Sequence, residues 1–207
     1  LKIELQNIGR RFNKEWIFRQ VDYTFESGKS YAILGPNGSG KSTLLKVLCG
    51  NLTPSAGTIT YMDNLTTIAV EEIFSHTAMA TPYVELIEEF TLREHIQFHF
   101  KFKAYLPGYN EERLIELLGL SASIDKQIRH FSSGMKQRVK LVLACCSDNK
   151  LVFLDEPTSN LDVEGESWYL SLIEKTKTPD RLFIICSNQP KEYSFCDEQF
   201  HVFDFKK

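Results

Sequence analysis

The chain has no surplus of positive charge: 24 lysines and arginines stand against 27 aspartates and glutamates, a net charge of −3 over 207 residues. Nucleic-acid domains carry a basic excess, so a general polyanion binder is excluded and no direct nucleic-acid partner is expected. Long apolar runs are also missing. The longest, Leu141–Cys146 and Leu182–Cys186, fall far short of the ~20 residues that cross a bilayer, so no membrane span within the chain is expected. The opening Leu1-Lys2-Ile3-Glu4-Leu5 alternates and carries an acid, which is not a secretory signal. Cysteines are few and odd in number, five, with no C-x-x-C pair. That pattern excludes a disulfide framework and predicts reduced, mostly buried thiols in a cytoplasmic protein. There is no internal repeat and no heptad run. With 43% hydrophobic and 25% charged residues, the chain instead has the composition of an ordinary folded domain.

The hydrophobic pattern changes character along the chain. Lys2–Ile8 and Gln20–Phe25 alternate as half-buried strands, and Tyr31–Leu34 is a short apolar strand of the fully buried kind. Ser42–Cys49 has helical character and stops at Gly50; Thr58–Tyr61 is again a strand. From about Thr81 to about Arg129 helical periodicity dominates, with Leu92, Ile96, His99 and Phe100 on one face, Leu114, Ile115, Leu117 and Leu118 on another, and Pro107-Gly108 between them. Lys136–Cys145 reads as a further helix. Strands return at Leu151–Leu154 and Leu182–Ile185, with a helix over 163–176 between them. This predicts an α/β core with a mostly parallel sheet, an N-terminal antiparallel β portion and an inserted α-helical sub-lobe.

Gly35-Pro36-Asn37-Gly38-Ser39-Gly40-Lys41-Ser42-Thr43 matches G-x-x-x-x-G-K-[ST], the phosphate loop. Glycines let backbone N–H groups turn inward around a phosphate, and the following helix adds its free N–H groups and positive dipole end. Lys41 supplies a full charge to the β and γ phosphates, and the Ser42 hydroxyl is placed for Mg2+. Average composition gives such a match by chance in about 1% of chains this long, and the strand before and helix after it are what the mechanism demands. Another candidate is the apolar strand that ends in Asp155-Glu156. An isolated acidic pair after a strand is most often a solvated turn. Beside a phosphate loop, Asp155 reads as the residue near the metal and Glu156 as the group that polarises a water.

Two further segments, Phe131-Ser132-Ser133-Gly134-Met135-Lys136-Gln137-Arg138 and Ser159-Asn160-Leu161-Asp162, complete the order and spacing. Together the chain resembles the ABC ATPase family, the nucleotide-binding subunits of ATP-driven transporters, over essentially its whole length. Residues Phe131–Arg138 resemble the LSGGQ signature, with Ser133 for the first glycine and Met135 for the glutamine while Ser132 and Gly134 remain. Residues Ser159–Asp162 resemble the D-loop. The resemblance implies a P-loop NTPase fold in a single domain, with 1–79 and 136–207 as the ATP-binding core and 80–135 as the helical subdomain. It also implies ATP and Mg2+ as cofactors and ATP hydrolysis coupled to transport. Two such subunits, alike or different, would face each other head to tail, so that Ser132, Ser133, Gly134 and Asp162 of one meet the nucleotide held by the other. Read alone, Ser132-Ser133-Gly134 is also simply a helix cap. An aromatic upstream of the phosphate loop stacks on adenine in relatives; Phe12 stands at that place, with Trp16 as the alternate.

Two family positions differ. The glutamine expected about nine residues before Thr91 is missing from Ala80-Thr81-Pro82-Tyr83-Val84-Glu85, which leaves Glu85 or a water as the substitute. The switch histidine after the last core strand is replaced by Asn188, which can donate a hydrogen bond but carries no charge; slower hydrolysis than in relatives is expected. His95 and His99 lie four apart on one helix, but no third ligand accompanies them, and a helix face with two imidazoles is the better reading.

An ABC ATPase without a span needs a separate membrane subunit, so the resemblance places this chain in the cytoplasm, peripheral at the inner face of the cell membrane. Tyr83, Leu86, Phe90 and Phe98 form either the surface on which that subunit docks or the core of the sub-lobe; exposure of two or more favours docking. The competing readings are a soluble non-transport ABC ATPase and a P-loop kinase or GTPase. The signature segment and the absence of an N-K-x-D motif speak against the latter.

Overall fold

A computed structural model describes residues 1–206; Lys207, the last residue of the expected core segment, lies outside them. The strands form two sheets. β1 (Lys2–Phe12) and β2 (Glu15–Glu26) make a hairpin, and β4 (Ala56–Asp63) and β5 (Thr66–Ile68) extend it into an antiparallel sheet of order β2-β1-β4-β5. The other sheet is parallel throughout, in the order β6-β7-β8-β3-β9. Its strands are β3 (Ser30–Leu34), β6 (Thr77–Ala80), β7 (Leu151–Asp155), β8 (Leu182–Cys186) and β9 (Glu198–His201).

Every residue of β3, β7 and β8 is buried. These strands are apolar without alternation because both of their faces are covered. Successive side chains still point to opposite faces. Leu151 and Phe153 of β7, with Leu182 and Ile184 of β8, join a core shared with the antiparallel sheet and with Leu44 and Leu48 of α1 (Lys41–Leu48). Val152 and Leu154, with Phe183 and Ile185, join the core on the other face. There they meet Leu92 of α2 (Leu92–His99), Leu114 of α3 (Glu111–Leu118), Val139 of α4 (Ser133–Cys145) and Leu172 of α5 (Val163–Thr176). Each fully buried side chain of this kind contributes about 1.5–3 kcal/mol.

Local chemistry sets the helix ends. Thr91 and Glu94 form a reciprocal capping box at α2, and Asn110 caps α3, which ends at Gly119 in the left-handed conformation. Helix α4 starts at Ser133, three residues before the expected Lys136, because Ser132 caps it by accepting from the Met135 N–H. Four of the five thiols are buried, and Cys196 is half-buried. Among the described residues, no helix is long and apolar enough to cross a membrane.

Candidate functional site

The parallel order sets the C-terminal ends of β7, β8 and β3 side by side, and each feeds a loop of the site. From β3 the chain passes through residues 35–40 into α1. Gly40 has φ +105°, and a Cβ there would lie 2.4 Å from Ile17 Cγ2, so only glycine fits this turn. As N-cap it offers no side-chain acceptor, which leaves the first N–H groups of α1 free at its positive end. Lys41 is 6% exposed, and its Nζ donates to the carbonyls of Gly35 at 2.8 Å and Pro36 at 3.4 Å. The ammonium therefore lies against the hollow of the loop. A cleft of about 270 Å³ opens here, lined by Ile17, Asn37, Gly38, Gly40, Lys41, Ser42, Thr43 and Glu156.

Asp155 closes β7, pairs with Cys186 in the ladder and is 2% exposed. Burial raises its carboxyl above the usual range, while the hydroxyls of Ser42 and Tyr83 and the charge of Lys41 pull it back. Ser42 and Asp155 together offer hard oxygen donors of the kind that suit Mg2+. Glu156 follows at φ +48°, with its N–H bonded to the Cys186 carbonyl at 2.9 Å. This left-handed turn is costly for a side chain with a Cβ, and it leaves the Glu156 carboxylate exposed in the same cleft. Beyond β8, Asn188 donates its amide to Asn37 Oδ1 at 2.7 Å, so it reaches the phosphate loop directly.

Ser132, Ser133, Gly134 and Asp162 gather elsewhere. Asp162 caps α5 by accepting from the Gly165 N–H at 2.8 Å. With Met135, Arg138 and Asn160 these residues line a hollow of about 420 Å³ that shares no lining residue with the phosphate cleft. A Cβ on Gly134 would meet the Asn160 carbonyl at 3.0 Å, so the two segments are in close contact. Phe12 stands 47% exposed on the hairpin with the Arg10 guanidinium 4.6 Å from its ring centroid, and Trp16 carries Arg11 in the same way. The hairpin contributes Ile17, and neither aromatic, to the cleft lining.

Two residues near the site escaped the sequence reading. Tyr83, expected among the docking aromatics and 43% exposed, also directs its hydroxyl at Asp155 Oδ2, 3.4 Å away. The one available signal was an aromatic directly after Pro82, where the missing glutamine would fall. Glu192, in a 3-10 turn over Pro190–Glu192, is 1% exposed. Its Oε1 accepts from the Thr158 N–H at 2.8 Å, and its Oε2 accepts from the Ser187 hydroxyl. It thereby ties the loop that carries Glu156 to the loop that carries Asn188. No motif in the sequence signalled it.

Of the other docking candidates, Leu86 is buried, Phe90 is half-buried and Phe98 is exposed. Phe98 packs edge-on between Phe90 and Phe102, with centroids 5.5 and 5.3 Å away. An apolar groove of about 290 Å³ runs beside them, lined among others by Met79, Leu86, Phe98, Phe102 and Leu143, with Glu85 in its wall. His95 and His99 are engaged inside the fold: His95 Nε2 accepts from the Ile87 N–H at 3.0 Å, and His99 Nε2 lies 2.8 Å from Ser147 Oγ. Among the described residues, no group of three or more His, Cys, Asp or Glu side chains is placed to hold a metal.

A parallel sheet whose strand ends present a glycine-rich loop and an exposed glutamate to one cleft, with a buried aspartate beside them, is a P-loop nucleoside triphosphatase fold. The family model described as ABC transporter matches residues 18–159. The lantibiotic transport ATP-binding protein SrtF of Streptococcus pyogenes is 31% identical over 193 residues, 90% of this chain and 80% of that protein. The Nod factor export ATP-binding protein I of Burkholderia lata is 31% identical over 166 residues, 79% of this chain but 55% of its own length. The dimeric ATP-binding cassette MJ0796, solved in a post-hydrolysis state with ADP and Pi, superposes with a TM-score of 0.80 at 21% identity, covering 96% of this chain and 93% of that one. The chain belongs to the ABC transporter family.

Proposed function

We propose that this chain is the ATP-binding and ATP-hydrolysing subunit of an ABC transporter, working as a dimer of such subunits on a separate transmembrane subunit. Residues 1–79 and 136–207 form the ATP-binding core, and 80–135 the helical subdomain. The observation that carries the reading is the convergence of Lys41, Ser42 and Glu156 on one cleft lined by the free N–H groups of α1, with Asp155 beside Ser42. ATP would supply a cleavable phosphoanhydride there, and Mg2+ a counter-charge for it. The N–H groups of Gly38–Thr43 and the Lys41 ammonium hold phosphate oxygens. Ser42 and Asp155 would hold the metal, Glu156 would take a proton from the attacking water, and Asn188 would donate a neutral hydrogen bond from the loop after β8. Phe12, exposed on the hairpin that contributes Ile17 to the cleft, would be the adenine platform.

The separation of the two hollows supports a head-to-tail dimer. Ser132 and Asp162 would serve a nucleotide held in the phosphate cleft of another chain, and the solved cassette MJ0796 is itself dimeric. The apolar groove is the place for the membrane subunit, and Phe98 and Phe102, exposed on its rim, are the reason to put it there. The chain would then sit at the cytoplasmic face of the membrane.

Titration calorimetry of the full chain with ATP and magnesium tests the reading. Binding is expected for the parent, and its loss for Lys41→Ala. No heat with a well-folded parent, or equal affinity in the variant, overturns it.

A further inference from the structure

Tyr83 makes contacts that a docking residue has no need of. Its hydroxyl lies 3.4 Å from Asp155 Oδ2, and Lys46 Nζ lies 4.2 Å from its ring centroid. Lys46 is one turn beyond Ser42 on α1, so a single side chain from the loop after β6 touches both elements that carry the proposed metal ligands. Asp155 is sealed from water at 2% exposure, and a carboxylate there needs donors to hold its orientation. Tyr83 is such a neutral donor, and the Ser42 hydroxyl acts on the carboxyl in the same sense. Glu85, the substitute the sequence offers for the missing glutamine, belongs to the wall of the apolar groove with Lys140.

We propose that Tyr83 is a positioning residue for the metal site: its phenol donates to Asp155 Oδ2 and fixes the carboxylate plane, while the Lys46 ammonium over its ring anchors the phenol to α1. The inference rests on the reading of Asp155 as a metal ligand given above. Groups that orient a ligand from behind change metal affinity about 10–100-fold when removed. The effect is thus read in how strongly magnesium tightens ATP binding, and turnover is not needed.

Calorimetric titrations of the full chain with ATP, in magnesium and in EDTA, separate the two ideas. Tyr83→Phe is expected to bind ATP in EDTA as the parent does, and to lose about tenfold of the tightening that magnesium gives. Tyr83→Gln, which restores a donor at this place, is expected to recover most of it. If Tyr83→Phe keeps the full magnesium effect, or if Glu85→Ala is the variant that loses it, the assignment of Tyr83 is wrong while the nucleotide site stands. If the parent itself shows no magnesium effect, the reading of Asp155 falls, and this inference with it.

Discussion

The amide of Asn188 donates to Asn37 Oδ1 at 2.7 Å, joining the loop after β8 to the loop after β3. Both residues are neutral, so the contact contributes direction without charge where a γ-phosphate would sit. Asn188→His, which can carry a proton, is expected to raise kcat by roughly tenfold, the effect of about 1.4 kcal/mol on the barrier. Asn188→Ala is expected to lower kcat and leave KM nearly unchanged. Steady-state phosphate release checks both.

Glu156 occupies a left-handed turn at the end of a buried strand, and its carboxylate is exposed to the cleft. Glu156→Gln keeps the shape and removes the proposed base. Hydrolysis should fall at least about 100-fold, with ATP affinity retained. Parallel turnover and calorimetry decide it, and unchanged turnover removes Glu156 from the mechanism.

Glu192 satisfies donors from both Thr158 and Ser187 at 1% exposure. Glu192→Ala leaves several buried donors without an acceptor and is expected to cost about 3 kcal/mol or more in urea unfolding. Glu192→Gln keeps one acceptor oxygen, so a loss of about 1–2 kcal/mol is expected.

Arg181 is 2% exposed and, among the described residues, has only backbone carbonyls as hydrogen-bond partners. Its guanidinium donates to the carbonyls of Cys145 and Thr176 at 2.8 and 2.7 Å, and to those of Asn149 and Ser147 at 3.0 and 3.1 Å. It thereby closes the C-terminal ends of α4 and α5 with one side chain. Arg181→Met is expected to lower stability by at least about 3 kcal/mol, read from the urea midpoint, and to leave the phosphate cleft unaltered.

Acid sensitivity should come in part from His99. Burial pushes its imidazole down from 6.5 to about 4, with neighbouring His95 and Lys103 acting in the same direction. Ser147 gives its own proton to the Leu143 carbonyl at 2.6 Å, so His99 Nε2–H donates to Ser147. Below pH 6.5 the unfolded chain takes up a proton that the folded chain refuses until near pH 4, so stability is lost as pH falls through that window. The share due to His99 is about 2 kcal/mol between about pH 7 and 5. Urea unfolding at the two pH values, with His99→Gln showing the smaller difference, tests it.

The contrast between Lys41 and Tyr83 shows what a sequence can carry. The phosphate loop is legible because its chemistry is contiguous: Gly35 to Thr43 supply turn, charge and hydroxyl within one stretch. β7 and β8 are legible because burial on both faces imposes unbroken apolar runs. Tyr83 and Glu192 are different. Their partners Asp155 and Thr158 lie 72 and 34 residues away, and only the parallel register brings them together. An exposed aromatic and a lone glutamate have many uses, and their spacing along the chain does not choose among them. Phe12 shows the converse, since its place in the order of segments is clear but the residue that lines the cleft from its hairpin is Ile17.

The strand that leads into the phosphate loop, β3, pairs on one side with β8 and on the other with β9. Both neighbours follow it by some 150 residues or more, so they leave a ribosome long after it. During synthesis, therefore, the strand that leads into Gly35–Thr43 does not have both of its ladder partners until β9, ending at His201, has emerged. A nascent chain stalled before β8 would hold every residue of the loop without the sheet neighbours that flank its strand.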